Sequence, residues 1–316
     1  MKNRINIKSA IFIICISSAL LYTICSCSKL ISDEFPNYDE LPTVNALLVA
    51  GEPIKVHVSL AERIDTTILT IINDAFVVIH SQQEGIDTLY YIGGGLYKSV
   101  FIAKQGYAYT IETLIDGFDK IIGSDSVPHR VNAKISDHTN YYRYDEEGNF
   151  TEGIEIEFYD DPNTTDFYEI AIIREEYSSS YYVYPYSENT PIILNEGYEP
   201  YTTPSLVFSD QLMGDSIIRI YFDFYQGMHI SDFGNDSLVQ IFDEHAMKLE
   251  FRHVSESYYN YKKHFYFYEK DRYPGFVEGT ASTYPIYSNM ENGFGIIGAY
   301  SITRDSIWIP EEHMPL

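Results

Sequence analysis

The sequence predicts an all-β protein. The expected plan is an N-terminal Ig-like or transthyretin-like antiparallel sandwich, followed by a second β-sandwich domain that carries one short helix. Three observations lead there. Most of the chain consists of short segments in which apolar and polar residues alternate, the period of a half-buried strand, with turn residues between them. The chain holds 30 tyrosines among 316 residues, and tyrosine favours strands because its ring packs while its hydroxyl reaches water. One segment, near residues 255–270, shows the helical period instead.

The chain opens on a different kind of element. Lys2, Arg4 and Lys8 form a basic leader, and an apolar run from Ala10 to Tyr22 follows. A basic stretch before a short apolar core is the pattern of a secretory signal, and the core is too short and too interrupted by Ser17 and Ser18 to span a bilayer well. The run ends in Ile24-Cys25-Ser26-Cys27. This resembles the bacterial lipobox, in which a small residue precedes the cysteine that is acylated. Residues 1–26 are therefore expected to be a lipoprotein signal peptide, and Cys27 the lipid (palmitate) attachment site. Cys15 and Cys25 would leave with the signal, so the mature chain would hold no disulfide and no free thiol for catalysis. Polar, aperiodic residues 27–40 read as a tether, with Asp33 and Glu34 as a short acidic element.

The formal net charge is −25 at pH 7, and loss of the basic leader makes the remainder more acidic still. Such a surface repels nucleic acid and anionic lipid. With 45% apolar and 16% aromatic residues, the body can bury a core, which excludes disorder.

Residues 41–129 are expected to form the first sandwich. Lys55–Leu60 alternates, Ala75–His80 is a buried-strand run, and Thr88–Ile92 leads through Gly93-Gly94-Gly95 into Leu96–Val100. Tyr107–Leu114 alternates again before the turn at Asp116-Gly117, and Val127–Arg130 reads as a boundary.

Residues 130–316 are expected to form the second sandwich. A strand pair surrounds Asp145–Asn149, and Ile154–Phe158 precedes the turn at Asp160–Asn163. Phe167–Ile173, Ser216–Phe224 and Met247–His253 are further strands. Val254, Tyr258, Tyr261, Phe265 and Tyr268 recur at helical spacing, with Ser255 as N-cap and Lys262 and Lys263 off the stripe. A helix laying that stripe on the sandwich is expected.

Few residues stand out as chemistry. Gly293, Gly295 and Gly298 fit a G-x-G-x-x-G pattern, but too little chain follows for a dinucleotide-binding unit. They read as a turn into a last strand, with Asn289 and Asn292 bonding to its backbone. No histidine spacing forms a zinc motif, and His245 and His253 read as surface residues. Asp160, Asp161, Asn163 and Asp166 offer oxygens to calcium but lack the spacing of a calcium loop. No metal and no cofactor are expected. No nucleophile elbow occurs, so the chain is expected not to be an enzyme. The segment 177–204 is rich in tyrosine, with Tyr181, Tyr182, Tyr184, Tyr186, Tyr198 and Tyr201 among turn residues. It reads either as an exposed contact surface or as a hairpin packed on the sandwich.

Four blocks in the second half carry a family resemblance. They are Phe208–Leu212, Ile218–Asp223, Leu249–Lys262 and Pro285–Ser301, the last holding Ser-Asn-Met-Glu-Asn-Gly-Phe-Gly. In this order, behind a lipobox, they resemble the DUF4249 family of Bacteroidetes lipoproteins, over nearly all of the mature chain. The resemblance implies an outer-membrane, lipid-anchored protein, with surface exposure favoured. It also implies a role as a non-catalytic binding accessory of a TonB-dependent uptake receptor. An exported hydrolase of peptide or glycan, and a structural or adhesion protein of the envelope, are the alternatives.

Overall fold

The computed structural model describes residues 40–61, 69–144, 148, 150–177, 179–185, 191–200, 202–225, 229–232, 238–271 and 284–315. The signal, the tether and Cys27 lie outside the described residues. In chain order the first strands are β1 (Pro42–Val49), β2 (Pro53–Leu60), β3 (Phe76–Ser81), β4 (Gly85–Thr88), β5 (Tyr90–Gly93), β6 (Leu96–Ile102), β7 (Ala108–Leu114) and β8 (Ile121–Ser126). Next come β9 (Ala133–Tyr144), β10 (Phe150–Tyr159), β11 (Phe167–Glu175), β12 (Ser180–Tyr182) and the short helix α1 (Pro191–Glu196). The chain continues through β13 (Ser205–Ser209), β14 (Ile217–Tyr225), β15 (His229–Asp232), β16 (Leu238–Phe242) and β17 (His245–Val254). Helix α2 (Glu256–Asp271), β18 (Ile297–Ile309) and β19 (Glu312–Pro315) complete it.

The architecture is all-β, with antiparallel sheets stacked as sandwiches. One sheet of nine strands runs β12-β11-β17-β18-β1-β2-β6-β5, with β13 also paired to β11. Two smaller sheets cover one face of it. β4-β3-β7-β8 encloses a core that includes Val44, Val56, Val77, Tyr97 and Ile111. β14-β10-β9 encloses a second core that includes Ile156, Phe158, Tyr168, Phe222 and Phe251. Strict alternation creates both: Val44, Ala46 and Leu48 point into the first core, while Asn45 and Leu47 point out. The same rule turns Met247, Leu249 and Phe251 inward along β17.

From Glu40 onward the chain is one compact unit. Its halves are joined at β1 and β18, which pair in parallel from Ala46 opposite Ile297 to Val49 opposite Tyr300. Ile297 and Ala299 of that late strand pack into the first core.

Helix α2 lies on the face of the wide sheet opposite the cores. Ser255 caps it, its Oγ accepting from Tyr258 N at 3.2 Å. The expected stripe is corrected in part. Tyr258 packs against the body, but Phe265 is 41% exposed and stacks on Tyr261. The residues that face the body include Lys262 and Lys263, because the surface beneath them presents acids. Buried Glu169 lies 3.2 Å from Lys262 Nζ and accepts from Tyr258 Oη at 2.9 Å. Glu196 pairs with Lys263 and accepts from Tyr259 Oη at 2.7 Å. Among the described residues no helix is long and apolar enough to cross a membrane.

Candidate functional site

The face that carries α2 also carries a groove of about 560 Å³. Register builds its floor. Leu47 of β1 stands beside Gly298 of β18, and Asn45 stands beside His57, which faces Leu96. Lys55 lies on the same face of β2, two residues from His57. Tyr258, Tyr261 and Lys262 of α2 form the wall. Gly298 sets the helix height, since a Cβ there would meet Tyr258 Cβ at 3.3 Å. Glu52 is the one carboxylate among the described residues that line the groove. Aromatic rings, aliphatic floor and two lysines make a surface for a partly apolar, partly anionic ligand.

The glycine-rich turn supports that floor. Gly295 has φ 111°, and a Cβ on it would lie 2.1 Å from the Val44 carbonyl oxygen. A Cβ on Gly293 would likewise lie 2.8 Å from the Pro42 carbonyl oxygen. Asn289 bridges backbone on both sides, donating to Ile297 O at 2.8 Å and accepting from Ile297 N at 2.9 Å. Asn292 sits at φ 59° and donates to Lys120 O at 2.9 Å, so it ties the turn to β8's approach.

The tyrosine-rich segment divides. Tyr181, Tyr182 and Tyr184 are exposed on and just beyond β12. Tyr198 is 6% exposed and anchors the core, its hydroxyl donating to Val207 O at 3.0 Å and accepting from Val207 N at 3.1 Å. Its expected place on a contact surface is therefore corrected. The cause is burial beneath α2, where its ring meets Tyr266. Tyr186 and Tyr201 lie outside the described residues.

Two buried carboxylate clusters sit deeper in the second sandwich. In the first, Glu152 of β10 is fully buried. His138 Nε2 and His245 Nε2 lie 2.7 and 2.8 Å from its Oε1, and Arg174 Nη1 donates to its Oε2 at 2.5 Å. Burial alone would raise the carboxyl. The hydrogen bonds to His138 and His245 and the charge of Arg174 outweigh it and hold the group at about 2. His245 is 1% exposed and faces the Asp243 carbonyl with Nδ1 at 2.9 Å. The surface role expected for it is corrected, because β17 begins under β10. Two ligands of one zinc ion stand roughly 3.3 Å apart when each bond is about 2.0 Å. The shorter contacts here, and the arginine, make this a closed ion network.

The second cluster holds Asp160, Asp166 and Asp210, each with one carboxylate oxygen within 4.8 Å of the others. Tyr168 Oη donates to Asp160 Oδ1 at 2.5 Å, and Asp166 N donates to Asp210 Oδ2 at 3.0 Å. Thr164 Oγ1 and His253 Nε2 lie 2.6 and 3.0 Å from Asp166. His253 is therefore held at the cluster, with its Nδ1 2.7 Å from His129 O, and its expected surface role is corrected too. Burial, then the charges of Asp160 and Asp166, push Asp210 up to about 6. Asp161 and Asn163, expected beside Asp160 and Asp166, instead bond to each other in an exposed turn. Spacing along the chain could not reveal Asp210. It arrives because β13 pairs with β11, placing Ser209 opposite Phe167.

A family model described as a domain of unknown function, DUF4249, matches residues 30–306. The chain belongs to this family. The match spans the first core, all of the second but Ile307 and Ile309, the groove and both carboxylate clusters of this DUF4249 protein. No curated protein matches the sequence.

Proposed function

We propose that this DUF4249 protein is an envelope lipoprotein, tethered through Cys27, whose β body is a non-catalytic binding module. The groove beside α2 carries the binding half of this reading. It joins half-buried tyrosine rings to exposed Lys55 and to Lys262, itself held by Glu169, in a strongly acidic chain. It offers one carboxylate, Glu52, where glycan hydrolysis uses a pair. The lipobox and the apolar leader support the tether, and two or more acyl chains would make attachment stable. The partner that suits an outer-membrane anchor is a TonB-dependent uptake receptor. A segment of that receptor with apolar and acidic residues would fill the groove.

The test is affinity capture of the tagged full-length protein from native membranes, beside Tyr261→Ala and Lys55→Glu variants. Capture of a β-barrel receptor by the wild type, and its loss with both variants, is the expected result. Recovery of the wild-type protein without any barrel would overturn the receptor assignment. Capture unaffected by both variants would overturn the groove. Cys27→Ser should release the protein from the membrane fraction.

A further inference from the structure

The Asp160, Asp166 and Asp210 cluster has a feature that the Glu152 network lacks. Asp160 Oδ2 and Asp210 Oδ1 are both buried with no donor from any other group, the two carboxyls lying within hydrogen-bond reach of each other. Asp210 is only 3% exposed, which leaves bulk solvent little access to its carboxyl. A buried carboxylate oxygen without a donor is strongly disfavoured. Two of them side by side, beside a third carboxylate, repel as well. His253 is the one basic side chain paired with the three among the described residues. Even when protonated it leaves two negative charges in excess.

The scaffold is tied together by backbone hydrogen bonds. The loop from Asp160 to Asp166 joins β10 to β11, and Asp210 directly follows β13. Asp166 and Asp210 are cross-tied, since Asp210 N also donates to Asp166 O at 3.2 Å. Tyr168, Thr164, His253 and the Asp166 backbone N–H hold the other four carboxylate oxygens by hydrogen bonds, the support that metal ligands commonly have. Asp166 is 24% exposed and leaves a route from solvent.

We propose that Asp160, Asp166 and Asp210 bind one calcium ion. All donors are oxygens, which selects a hard cation. Oxygens on opposite sides of a calcium ion stand about 4.6–5.2 Å apart, so three carboxylate oxygens that all lie within 4.8 Å of one another fit around one such ion. Magnesium demands a tighter octahedron and holds its waters. The ion would meet Asp160 Oδ2 and Asp210 Oδ1 and lock the β10–β11 loop to the end of β13.

The full-length protein in detergent, stripped with a chelator, is titrated with calcium chloride at neutral pH by calorimetry. One saturable site is expected, with Kd on the order of 10⁻⁴ M, as in extracellular modules. Terbium is expected to occupy the same site and to emit through Tyr168, with calcium quenching that emission by displacement. Tyr168→Phe, which takes the donor from Asp160 Oδ1, should weaken calcium binding by about 10–100-fold and lose most of the displaceable emission. Asp210→Asn should abolish the isotherm while circular dichroism shows an intact fold. Asp160→Asn, which removes the other unpartnered oxygen, serves where Asp210→Asn does not fold. No saturable binding at millimolar calcium would overturn the proposal, as would wild-type affinity in a folded Asn variant. Either result would mean that Asp160 and Asp210 share a proton instead. Binding of magnesium with equal affinity would overturn the choice of calcium.

Discussion

Buried Glu152 and the partly buried aspartate trio lie in the same sandwich, yet they solve the burial of charge in opposite ways. Strands β9, β11 and β17 each bring a base to Glu152, and both its oxygens are engaged. The trio sits where a loop meets a strand end, and no lysine or arginine reaches it among the described residues. One cluster is completed by the chain. The other is left with two oxygens that need something the chain does not supply. The difference shows that burial of acids does not itself mark a site. What marks one is the missing counter-charge.

Removing the chain's own cation should have the largest effect. Arg174→Met leaves Glu152 buried without its guanidinium and should cost about 3–5 kcal/mol in urea unfolding. Acid gives a second probe of the same cluster. Glu152 ionises at about 2 when folded against an ordinary 4.5, so its contribution is complete above about pH 4.5. It is lost as pH falls toward about 2, and Glu152→Gln should flatten that part of the pH–stability curve. Calcium at a hundred times its Kd should stabilise the wild type by about 2.7 kcal/mol and leave Asp210→Asn unchanged, measured by thermal melting. An intermediate case is Glu196, which relies on Lys263. Lys263→Met should cost about 1–3 kcal/mol and loosen α2, read by hydrogen exchange along the helix. The smallest effect should be Asp210→Asn in chelator, a loss under about 1 kcal/mol or a gain, because repulsion falls. A loss as large as that of Arg174→Met would erase the contrast.

Much of this was legible in the alternation of residues. The strand runs at Lys55–Leu60, Ile154–Phe158 and Met247–His253 fall within β2, β10 and β17. Ser255 marked the helix start through its side-chain oxygen. The helix face was misread because the periodic rule assumes an apolar surface beneath. Glu169 and Glu196 reward lysines there instead. Sheet order was not legible, since nothing local in β1 announces a parallel partner at Ile297. The same limit hid half of each cluster. Asp160 and Asp166 share one loop and were visible together, while Asp210 depends on long-range pairing. His245 and His253 share a strand but serve different carboxylates, which spacing alone could not separate.

The pairing of β1 with β18 also sets the order in which the molecule can be made. β1 leaves the ribosome long before its neighbour on one side, β18, because almost the whole of both sandwiches lies between them in sequence. Until then β1 has an open edge, and the first core lacks Ile297 and Ala299. Contacts across so much chain close slowly, and an open edge invites pairing with other chains. A chain stopped before Ile296 would keep almost every residue of the first sandwich and still be unable to seal it. Sealing of the first sandwich is therefore withheld until β18 has been synthesised.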